Sequence, residues 1–73
     1  MGVVVAIGER ARTAGFALAG AQVGPADDPD RVRAFWRELP ADAALVVLTP
    51  AAAAALGPEV LDAAEPLTVV MPP

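Results

Sequence analysis

Val3-Val4-Val5-Ala6-Ile7-Gly8 opens the chain, and Glu9-Arg10-Ala11-Arg12-Thr13-Ala14-Gly15-Phe16-Ala17-Leu18-Ala19-Gly20 follows it directly. The first run is apolar at every position rather than at alternate ones. A strand of that kind is covered on both faces, the condition of a parallel sheet inside an α/β protein. After Gly8 the period changes. Ala11, Ala14, Gly15, Leu18 and Ala19 share one side of a helix, at i, i+3, i+4, i+7 and i+8. That side is almost entirely small residues and predicts a helix set close against the sheet. Glycine in mid-helix costs about 1 kcal/mol relative to alanine, so Gly15 there requires a packing reason, and close approach to the sheet supplies one. Gly20 can then stop the helix in a left-handed conformation.

The same rhythm repeats to the end of the chain. Ala21-Gln22-Val23 reads as a short second strand, and Gly24-Pro25 as a turn. Asp28, Pro29 and Asp30 supply an N-cap, a first-position proline and an acidic first turn. The helix they start carries Val32, Phe35, Trp36 and Leu39 on one face, and Pro40 and Asp42 close it. Ala43-Ala44-Leu45-Val46-Val47-Leu48 is a third strand, apolar throughout. Thr49-Pro50 repeats the cap-and-proline start, and Ala51 to Ala55 have the highest helix propensity available. Gly57-Pro58 interrupts this helix, Glu59 to Ala64 add one or two further turns, and Leu67-Thr68-Val69-Val70-Met71 is the fourth strand.

This βαβαβαβ alternation with short, right-handed connections predicts a single α/β domain over residues 1–73. Its form is a Rossmann-like four-stranded parallel sheet of order 2-1-3-4 with helices on both faces. Val4, Ile7, Leu18, Phe35, Leu39, Val46, Leu48 and Val70 are the expected core. Strand order reverses between the first and third strands, so Gly8-Glu9 and Thr49-Pro50 are expected side by side at the carboxyl edge, where ligands bind in such sheets.

Composition narrows what that edge can do. The chain has no Cys and no His, which removes thiol chemistry, disulfides, imidazole catalysis and the usual zinc ligands. A formal charge of −4 opposes a nucleic-acid role, because phosphate backbones demand a basic face. No apolar run reaches the roughly 20 residues of a membrane span, and no basic segment precedes the first one, so a soluble, cytoplasmic domain is expected. Gly8 to Thr13 lack the second glycine of a dinucleotide loop, and no Gly-Lys-Ser/Thr occurs anywhere. A receiver domain needs a carboxylate after the third strand, where Thr49 stands. Glu9, Asp27 and Asp28 amount to a weak divalent-cation cluster; a carboxylate there more ordinarily favours a helix dipole. No catalytic, cofactor-binding or metal-binding residue is therefore assigned.

Other conspicuous residues have plain readings. Phe35 and Trp36 at helical spacing belong to a core before they belong to a partner surface. Arg31, Arg33 and Arg37 fit a solvated helix face. The alanine run is either ordinary cover for the sheet or a packing surface for another helix.

Ile7-Gly8-Glu9, followed by Gly15-Phe16-Ala17-Leu18-Ala19-Gly20, resembles the start of the F subunit (NtpG-like) of the V-type and archaeal A-type rotary ATPases and ATP synthases. In that family a strand ending in Ile-Gly and an acidic residue precedes a helix with Gly-Phe-x-Leu-Ala-Gly. The likeness continues through a middle helix, a Thr49-initiated helix after the third strand, and a last strand bracketed by Pro66 and Pro72. It spans essentially the whole chain, with the glycine-phenylalanine segment its most specific part.

The resemblance implies a non-catalytic central-stalk (rotor) subunit that binds the D subunit, the coiled-coil shaft, and other stalk subunits. It implies coupling of ATP turnover to ion or proton transport, at the periphery of a membrane-bound complex, with no cofactor of its own. Glu9, Thr49, Pro50 and Pro72 at the carboxyl edge are the expected contact residues, with the adjoining helix faces as the alternative surface. The family usually continues into a C-terminal helix along the shaft; a chain ending at Pro73 is expected to lack it. A small-ligand or nucleotide-sensing domain using the same edge is the alternative, and a fragment of an enzyme a third.

Overall fold

The computed structural model describes residues 2–62 and 65–72. In chain order the elements are β1 (Val3–Gly8), α1 (Arg10–Leu18), β2 (Gln22–Pro25), α2 (Pro29–Arg37), β3 (Ala43–Leu48), α3 (Pro50–Leu56), α4 (Pro58–Leu61) and β4 (Leu67–Val70). The four strands form one sheet of order β2-β1-β3-β4, parallel throughout. This is the α/β, Rossmann-like architecture that the apolar runs and alternating periods predict. The further turns expected through Ala64 stop at Leu61 in α4, and Ala63 and Ala64 lie outside the described residues.

Local chemistry sets most boundaries. Asp28 caps α2, its Oδ1 accepting from the Arg31 N–H at 2.9 Å, with Pro29 behind it. Thr49 caps α3, its Oγ1 accepting from the Ala52 N–H at 3.2 Å, with Pro50 behind it. Gly57, at φ 89°, divides α3 from α4, a conformation other residues rarely adopt. Gly24 and Pro25 belong to β2 rather than to a turn. β2 is an edge strand, where a missing N–H is tolerated, and the Ala26 N–H takes up the ladder by donating to the Gly8 carbonyl at 2.8 Å. Gly24 is required for space: a Cβ there would lie 2.9 Å from the Phe35 ring.

The core lies on the α2–α3 face of the sheet. Val5, Ile7, Val46 and Leu48 point into it from the strands, and Val32, Ala52 and Ala53 meet them from the helices. Phe35, Trp36 and Leu39 pack against its border and are half-buried rather than enclosed. Val4, Leu18 and Val70, expected in the core, are exposed. Val4 points to the opposite face, and Val70 lies on β4, the edge strand.

Leu18 is 93% exposed because α1 is turned about half a revolution from the orientation its small residues predict. Thr13 is its one buried residue, with Phe16 half-buried beside it, while Ala11, Ala14, Gly15 and Leu18 face outward. The Thr13 hydroxyl donates back to the Glu9 carbonyl at 3.2 Å, which neutralises its polarity and lets it fill a valine-shaped site. A Cβ on Gly15 would meet nothing within 4 Å, so close approach to the sheet does not account for that glycine. α1 covers β1 and β2, and Ala6 beneath it is fully buried.

Candidate functional site at the carboxyl edge

The register Ile7↔Leu48 sets Gly8 beside Thr49 at the end of the two inner strands. The backbone closes the pair first: the Thr49 N–H donates to the Ile7 carbonyl at 3.2 Å. The Thr49 hydroxyl then donates to Glu9 Oε1 at 2.5 Å while accepting from the Ala52 N–H. One buried hydroxyl therefore bonds the end of β1 to the start of α3. The Thr49 side chain fills the space over Gly8, where a Cβ would fall 2.2–2.8 Å from its atoms. Gly8 is glycine because Thr49 is there.

Electrostatics follow from this geometry. The Glu9 carboxyl is held below its ordinary range, chiefly by the Thr49 hydroxyl and then by its own backbone N–H; desolvation opposes them, and the positive charge of Arg12 adds the least. Glu9 precedes α1 but does not cap it with its own side chain. That duty falls to Asp27, whose Oδ1 accepts from the Arg10 N–H at 3.2 Å across the connection after β2. At the other end of the edge Arg12 donates to the Pro72 carbonyl at 2.8 Å, and the Met71 N–H donates to the Leu48 carbonyl at 2.8 Å.

Glu9, Thr49, Pro50 and Pro72 thus share one edge, as their places after successive strands predict. They do not share one surface. Thr49 is buried with its hydroxyl fully engaged, so it organises the edge and cannot itself touch a partner. Glu9 and Pro50 are half-buried, and Pro72 is exposed. Arg12 and Asp27 carry contacts that the sequence does not announce, since Arg12 bonds a backbone carbonyl and Asp27 a helix from another part of the chain. The only advance signal is Arg12 standing one turn after Glu9.

Between Glu9, Asp27, Asp28, Val32 and Ala52 lies a cleft of about 70 Å³. That volume holds two or so waters and falls well short of the roughly 300 Å³ where small-molecule sites begin. The carboxylates at its rim already serve as caps or accept the Thr49 hydroxyl. Among the described residues no three His, Cys, Asp or Glu side chains are grouped to hold a metal ion.

No family model, no curated protein and no solved structure matches this chain. Among the described residues no helix is long and apolar enough to cross a membrane.

Proposed function

We propose that this domain is the globular head of a non-catalytic central-stalk subunit of a V-type or A-type rotary ATPase or ATP synthase. In this reading it binds the coiled-coil shaft subunit and couples ATP turnover to ion transport at the cytoplasmic periphery of the membrane-bound complex. The observation that carries the reading is the segment Ile7 to Gly20, whose Ile-Gly-Glu and Gly-Phe-x-Leu-Ala-Gly strings resemble the F subunit of those machines. The carboxyl edge supports it. Glu9, Thr49, Asp27 and Arg12 bond to the protein itself, which makes the edge a rigid surface to be gripped rather than a pocket for turnover.

The test is co-purification with the shaft subunit encoded alongside, set against an ATPase assay of the isolated chain. Stable association without turnover is the expected result, weakened by reversing the charge in Glu9→Lys. Failure to associate with the shaft, or turnover by the isolated chain, overturns the reading.

A further inference from the structure

We draw no further inference here: the strongest candidate, the apolar surface patch that Leu45, Val47, Leu67 and Val69 form on the α1 side of β3 and β4, carries nothing because nothing in the structure shows what covers it.

Discussion

Gly8 and Gly15 show how little a residue's identity says until its neighbours are known. Both are glycines near the start of the chain, and their backbones ask nothing unusual of them. A Cβ on Gly8 collides with Thr49, whereas one on Gly15 meets open space. Gly8→Ala is therefore expected to destabilise the domain by about 2 kcal/mol or more through overpacking and displacement of Thr49. Gly15→Ala is expected to stabilise the domain by about 0.5–1 kcal/mol. Urea denaturation of the two variants tests both signs together. Thr49→Val keeps the shape but loses the hydroxyl, and is expected to cost about 1–3 kcal/mol, with Thr49→Ser retaining most of it. Loss of that hydroxyl should also return the Glu9 carboxyl toward its ordinary value of 4.5, visible by NMR titration. Because Glu9 titrates lower in the folded than in the unfolded chain, its contribution to stability is present above its unfolded value. It disappears as pH falls through the folded one. Stability is expected to fall on acidification from about pH 6 to about pH 3 by less in Glu9→Gln than in the parent.

At the scale of elements, what can be read in advance is whatever depends on local chemistry. Asp28-Pro29 and Thr49-Pro50 start helices where they stand in the sequence, since an N-cap and its proline act within one turn. Strand order follows from the apolar character of β1 and β3. The facing of α1 does not follow, because its two sides differ little: alanines, Gly15 and Leu18 on one, Thr13 and Phe16 on the other. With such a weak contrast periodicity does not report the buried side, and the Thr13 hydroxyl, bonded back to the Glu9 carbonyl, is what lets that side be buried. At the edge, the neighbourhood of Glu9 and Thr49 is legible from topology. The roles of Arg12 and Asp27 are not, because both reach across the fold. Phe35 packs over Gly24 and borders the core, so Phe35→Ala is expected to cost about 2–3 kcal/mol, below the 3–5 kcal/mol range of an enclosed phenylalanine. Thermal unfolding of that variant distinguishes the two ranges.

Across the whole molecule the apolar cover is lopsided. α2, α3 and α4 pack the core on one face, and α1 shelters half of the other. β4 has the least cover: it pairs with β3 alone, and Leu67, Val69 and Val70 are all substantially exposed. Its far end is tied down by the Arg12 bond to Pro72. The consequence lies in the order in which the native state comes apart. Opening of β4 exposes little that was dry, so its amide protons should exchange with deuterium through a low-energy excursion that leaves β1, β2 and β3 paired. Those of β1 and β3 should exchange only when the whole chain unfolds. Arg12→Ala, which cuts the tether, is expected to speed exchange along β4 severalfold while leaving protection in β1 unchanged.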